Sequence, residues 1–203
     1  DADAALPPEC SLPPYTVVVE RTGPSPAGSA TFEVVDAVVL PIPIVPDPER
    51  ELSFDESVEA AASTDLVGYS IVLADEDIAD GSVSLFSGYE PERAGAVRAF
   101  VSVFPFSADD PLAAGDVVTH SFETELGAFT TLSTIGLDLK ASADEFNGYA
   151  ESPAGQVEIL AITDEAACFD VDLSWTLSGD DGSVTIRGVL AGPLLERGNL
   201  PLT

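Results

Sequence analysis

The feature that most constrains this chain is a run of strict alternation near its C-terminal end. Phe169, Val171, Leu173, Trp175 and Leu177 take every second position, and Asp170, Asp172, Ser174 and Thr176 fill the gaps. Successive side chains of a strand point to opposite faces, so this pattern makes one face apolar and the other polar; a helix would scatter the same residues around its axis. The pattern returns in Val184, Ile186, Gly188 and Leu190 against Thr185 and Arg187. Between the two runs, Ser178-Gly179-Asp180-Asp181-Gly182 supplies residues that tolerate a tight hairpin. Residues 157–162 precede them and are apolar on both faces apart from Glu158, which predicts cover on both sides. Residues 154–191 therefore predict a three-stranded antiparallel meander, with Cys168 at the start of its middle strand and Trp175 on the apolar face. Asp172 and Arg187 are placed to meet across the hairpin, an exposed pair worth about 0.2–1 kcal/mol.

The rest of the chain reads in the same idiom. Strands are expected at 15–20, 31–40, 67–73, 82–86, 97–106, 117–124, 128–135 and 137–140, with glycine, proline and acidic turns between them. In the strand at 97–106, Phe100, Phe104 and Phe106 fall on one face. Alternating prolines make 41–48 an extended edge or crossover segment, because proline cannot donate to a ladder. Residues 55–63 are the best helix candidate, with Ser53 and Asp55 as caps, and the acidic run at 75–80 reads as a further turn of helix. About ten short strands with turns at this spacing predict an all-β, antiparallel β-sandwich or jelly roll with at most one short helix. The expected organisation is a proline-rich tail at 1–14, a single β-sandwich domain at 15–194 and a C-terminal tail at 195–203.

Charge limits the partners. The 203 residues carry 36 acidic and 7 basic side chains, a net charge of −29, and Lys140 is the only lysine. Phosphate recognition needs clustered Lys and Arg, so nucleic acid is excluded as an expected partner and anionic membranes are disfavoured. With 45% hydrophobic residues the chain has the material for a core and is not an acidic disordered tail. Such a surface suits a saline exterior or binds cations. No segment reaches the apolar length of a membrane-spanning helix. The opening Asp1-Ala2-Asp3-Ala4-Ala5, without any methionine, looks like the mature start of an exported chain. The two cysteines, Cys10 and Cys168, read as one disulfide formed in an oxidising compartment. By the chain-entropy argument such a long loop contributes up to about 5 kcal/mol and pins the tail to the meander.

Catalytic patterns are missing, and no catalytic residue is expected. The single histidine, His120, lies among Thr119 and Ser121 without a GxSxG elbow. Carboxylates are too numerous for a glycosidase pair to stand out, and one tryptophan with four tyrosines makes a poor sugar platform. No phosphate-cradling glycine loop is present, so no cofactor is expected beyond calcium. Calcium takes hard oxygen ligands from loops, which points to Asp75, Asp77, Asp80, Asp180 and Asp181 as its candidate ligands, though not in an EF-hand pattern.

Three stretches carry a resemblance: 68–75 (GYSIVLAD), 154–159 (AGQVEI) and 182–194 (GSVTIRGVLAGPL). They are similar to small secreted or lipoprotein-type β domains of Gram-negative bacteria, whose last strand often ends in a cysteine; here Leu195 stands at that place. The resemblance implies an exported β protein and brings no activity. The leading expectation is a non-enzymatic structural subunit of a self-associating surface fibre, sheath or matrix. Its tail, Asp1, Ala2, Asp3, Ala4, Ala5 and Leu6, would contact a neighbouring subunit by adding a strand to its sheet. The alternatives are a surface adhesin for a carbohydrate or protein ligand, with or without calcium, and an extracellular hydrolase.

Overall fold

Alternation becomes register in the meander. Phe169 pairs with Leu190, Val171 with Gly188, Leu173 with Ile186 and Trp175 with Val184 across two long antiparallel strands. The computed structural model describes residues 6–10, 18–22, 30–44, 64–78, 83–84, 88–89, 97–121, 125, 132–140, 145–147, 153–176 and 183–195. In chain order the strands are β1 (Val18–Thr22), β2 (Ala30–Glu33), β3 (Asp36–Pro43), β4 (Val67–Ala74), β5 (Val83–Ser84), β6 (Gly88–Tyr89) and β7 (Val97–Val103). They continue with β8 (Val117–Thr119), β9 (Leu132–Lys140), β10 (Glu145–Asn147), β11 (Ala154–Ile162), β12 (Ala166–Thr176) and β13 (Ser183–Pro193). A six-stranded sheet runs β2-β1-β13-β12-β11-β8, a five-stranded sheet runs β10-β9-β7-β4-β3, and β5 pairs with β6. All strand pairs within these sheets are antiparallel.

The two larger sheets pack face to face as a β-sandwich. From the six-stranded sheet, Val157, Ile159, Phe169, Val171, Leu173, Val184, Ile186 and Leu190 enter one core with Val39, Tyr69, Ile71, Leu73, Ala99, Val101, Val103 and Leu132 of the other. Tyr69 and Phe169 meet across the layer with ring centroids 6.3 Å apart. Phe169 is fully buried, which contributes roughly 1.5–3 kcal/mol relative to leaving the ring in water. The outer face of the five-stranded sheet is also apolar. Val38, Leu40, Val72 and Ala74 are buried there with Ile78, Phe100 and Leu195 packed against them. Burial on both faces explains why β4 reads as a nearly continuous apolar run. The buried Ser70 hydroxyl of this strand accepts a 3.2 Å hydrogen bond from Ser102 on β7.

Several local expectations are corrected. The strand through residue 103 stops before Pro105, which has no N–H for a ladder, so the three phenylalanines do not share a face. Phe100 packs on the outer cluster, Phe104 packs with Ile44 and Leu66 at the sheet's end, and Phe106 is 48% exposed. Residues 132–140 form one strand rather than two, because β7 supplies a continuous partner and β9 takes up the slip at Gly136, the extra residue between the partners of Ala99 and Phe100. The acidic run is not helical over Asp75 to Ile78; the Asp36 carboxylate fastens it instead, accepting hydrogen bonds from the N–H groups of Ala37 and Ile78 at 2.8 Å each. The helix expected at 55–63 lies outside the described residues, as does the side chain of Trp175.

Candidate functional site

A bulge in β11 prepares a place for the N-terminal segment. Ile159 pairs with Phe169 but Ala161 pairs with Cys168, so Leu160 is an extra residue. The slip keeps both Ile159 and Ile162 against the inner core while Leu160 and Ala161 join the outer side. Cys168 alternates out of the core with Asp170 and Asp172, so the outer face has two zones. Its polar end carries exposed Asp170, Asp172 and Arg187, with Arg187 Nε donating to Asp172 Oδ1 at 2.8 Å. Its apolar end carries Cys168, Ala191, Leu160, Ala161 and Val189, and Leu6 and Cys10 pack there. The segment makes a 3-10 turn over Pro8–Cys10, closed by Cys10 N–H donating to the Pro7 carbonyl at 2.9 Å. Cys10 and Cys168 are joined as a disulfide, with Cα atoms 5.8 Å apart and 158 positions apart in the chain. Leu6, expected at a subunit contact, is thus half-buried against its own chain; Asp1 to Ala5 lie outside the described residues.

The sandwich edges differ. Leu195 N–H donates to the Val39 carbonyl at 3.0 Å, and Val39 bridges Leu194 in parallel, so the outward side of β3 meets the end of β13. Residues two apart in a strand turn their peptide groups the same way, so Pro41 and Pro43 also face outward. Their missing donors blunt this edge without breaking the ladder to β4, as the proline run predicted. The crossing is tight: a Cβ on Gly192 would lie 3.0 Å from the Ala37 carbonyl oxygen. At the other sheet, β8 pairs only with β11 among the described residues. Val118 is buried opposite Val157, whereas Val117 is 51% exposed. Val117 and Phe106 line an open cleft of about 320 Å³ with Phe104, Leu112, Asp116 and Ser121.

That cleft escaped sequence reasoning. Its signal was Phe106, an aromatic residue stranded between Pro105 and an acidic turn, but the alternation suggested a longer strand that buried it. The Asp116 carboxylate accepts a hydrogen bond from Ala113 N–H at 2.7 Å and shapes the turn that delivers Val117. A second open cleft of about 320 Å³ lies at the seam of the sheets, lined by Pro41, Asp65, Val67, Tyr69, Asp164, Leu194 and Leu195.

The polar candidates are dispersed. His120 Nδ1 lies 2.8 Å from the Leu132 carbonyl; a carbonyl only accepts, so this nitrogen carries the proton and ties the end of β8 to β9 of the opposite sheet. Asp75 and Asp77 sit on the loop after β4, and Asp80, Asp180 and Asp181 lie outside the described residues. Among the described residues no three His, Cys, Asp or Glu side chains are grouped to hold a metal ion. No helix of the described residues is long and apolar enough to cross a membrane. Set beside protein-family models, curated proteins and solved structures, the chain matches none of them.

Proposed function

We propose that this chain is an exported, non-enzymatic structural subunit that self-associates into a surface fibre, sheath or matrix. The observation that carries this reading is the exposed apolar pair beside the terminal strand of one sheet: Phe106 at 48% and Val117 at 51% exposure line the same cleft. Apolar side chains clustered next to a sheet edge offer an association surface. The edge at β3 is blunted by Pro41 and Pro43, whereas β8 carries no proline and stands beside the exposed pair. A net charge of −29 keeps copies apart at low ionic strength and lets them approach once salt screens it. The Cys10–Cys168 disulfide suits an oxidising exterior.

Sedimentation velocity and electron microscopy of the purified protein in high salt test the reading. Concentration-dependent polymers are expected, and they are lost in the Phe106→Ser/Val117→Ser double variant, whose thermal melt falls only modestly because both side chains are already about half exposed. A strictly monomeric parent at high concentration and high salt overturns the reading.

A further inference from the structure

The second cleft, at the seam of the two sheets, sets carboxylates beside apolar walls. Asp65 comes from the approach to β4 in one sheet, and Asp164 from the turn between β11 and β12 in the other. Each aspartate follows a threonine whose hydroxyl holds the local backbone. Thr64 Oγ1 donates to the Ile44 carbonyl at 3.0 Å and accepts from Leu66 N–H at 3.2 Å. Thr163 Oγ1 donates to the Ala166 carbonyl at 2.9 Å and accepts from Ala166 N–H at 3.0 Å. The two loops therefore do not need the carboxylates, unlike those around Asp36 and Asp116, whose carboxylates fasten backbone N–H groups. Asp65 and Asp164 are both exposed, and among the described residues neither side chain makes a hydrogen bond or ion pair. The walls are preformed. Val67 and Leu194 pack on the inner core and Leu195 on the outer cluster, each left half-buried. Leu194 N–H donates to the Glu165 carbonyl at 2.7 Å and Leu195 N–H to the Val39 carbonyl at 3.0 Å, which ties this wall to the turn carrying Asp164 and to β3. Among the described residues no lysine, arginine or histidine lines the cleft.

We propose that the seam cleft binds an arginine side chain of a basic protein partner, at a site separate from the Phe106 cleft and independent of self-association. Charge complementarity names the occupant. Carboxylates on both sides of an apolar wall, with no basic residue beside them, match a cationic head on an aliphatic stem and repel an anion. The stem covers Val67, Leu194 and Leu195 while the head stays at the carboxylates in water. A guanidinium suits this better than an ammonium: its planar fork of five donors serves acceptors on two sides, and it is the more weakly hydrated of the two. At about 320 Å³ the cleft stands at the small end of ligand pockets, about 300–1,000 Å³, which fits one long side chain. The net charge of −29 draws a basic partner from a distance at low ionic strength. A second copy of this chain is a poor source of the arginine. It carries the same −29 and approaches only in salt that also weakens the ion pairs.

The experiment titrates the nitrogen-15-labelled full chain, dilute and at low salt, with an acetylated and amidated glycine peptide carrying one arginine, and follows the amide signals by NMR. Saturable shifts are expected at residues 64–67, 163–165 and 194–195, with weaker binding of the matching lysine peptide and none of the citrulline peptide, which keeps the shape and loses the charge. The Asp65→Asn/Asp164→Asn variant is expected to lose affinity by about tenfold or more, the scale of one charge-assisted hydrogen bond. An Asp109→Asn/Asp170→Asn variant removes the same charge from exposed positions elsewhere and is expected to bind as the parent does. All four side chains are exposed, so both variants are expected to keep the amide dispersion of the folded chain. Absence of saturable shifts, shifts spread evenly over the acidic surface, equal binding of the citrulline peptide, or an equal loss in the two variants overturns the site. Equal affinity for the lysine peptide overturns the choice of guanidinium. None of these results bears on polymer formation in high salt, so this site and the proposed self-association fail separately.

Discussion

Replacing both cysteines by alanine isolates what the disulfide does for a dilute, monomeric chain. The bond closes a loop spanning 158 positions in a chain of 203 residues, so nearly four-fifths of the unfolded polymer is held in a ring. The loop-closure relation puts the entropy removed from the unfolded ensemble at about 17 cal/mol/K for that length, or about 5 kcal/mol at 25 °C. The folded-state loss adds little, because the two sulfurs are small and the Leu6 contacts are peripheral. For a domain of this size, 5 kcal/mol corresponds to a fall of roughly 10–20 °C in Tm. Guanidinium unfolding of the Cys10→Ala/Cys168→Ala variant against the oxidised parent is the assay. Because the effect resides in the unfolded state, the m-value is expected to rise as the released chain expands. A loss below about 1 kcal/mol with an unchanged m-value would refute the reasoning, and would place the stability of the tail's attachment in its packing instead.

Two further outcomes follow from local geometry. Gly155 has φ +113°, and a Cβ there would run into the Asp172 carbonyl oxygen, whereas Gly115 has φ +96° with open space around it. Gly115→Ala is expected to cost only the left-handed penalty of about 1–2 kcal/mol, and Gly155→Ala at least about 1 kcal/mol more through the displaced ladder, both read by thermal denaturation; equal losses would remove the clash argument. For Asp172 and Arg187, 66% and 68% exposed, a double-mutant cycle to alanine should give a coupling of about 0.2–1 kcal/mol that fades in molar salt; a larger, salt-insensitive coupling would contradict the assignment of an open, solvated face.

Strict alternation in 169–177 and 184–190 was enough to specify strands, their inner faces and the contact of Asp172 with Arg187, because side-chain direction in a strand depends only on parity. Oxidation chemistry and an even cysteine count were enough to pair Cys10 with Cys168. The prolines at 41 and 43 announced an edge or crossover segment, because a missing donor cannot be hidden in a ladder, and the structure makes it the β3 edge. Parity could not reveal the bulge at Leu160, which is a slip between two strands and exists only when both are in place. It therefore could not say that Leu160 and Ala161 share the outer side under the N-terminal segment. Nor could it place Phe106: the same alternation fits a strand that continues or one that stops, and Pro105 together with the turn to β8 decides between them. Local sequence thus determined the strands of the meander, their polarity and the disulfide. The tertiary structure alone decided which apolar residues stay in water, because that depends on where β7 stops and how β8 pairs with β11, and where the segment at Cys10 comes to rest, because that depends on a bond spanning 158 positions.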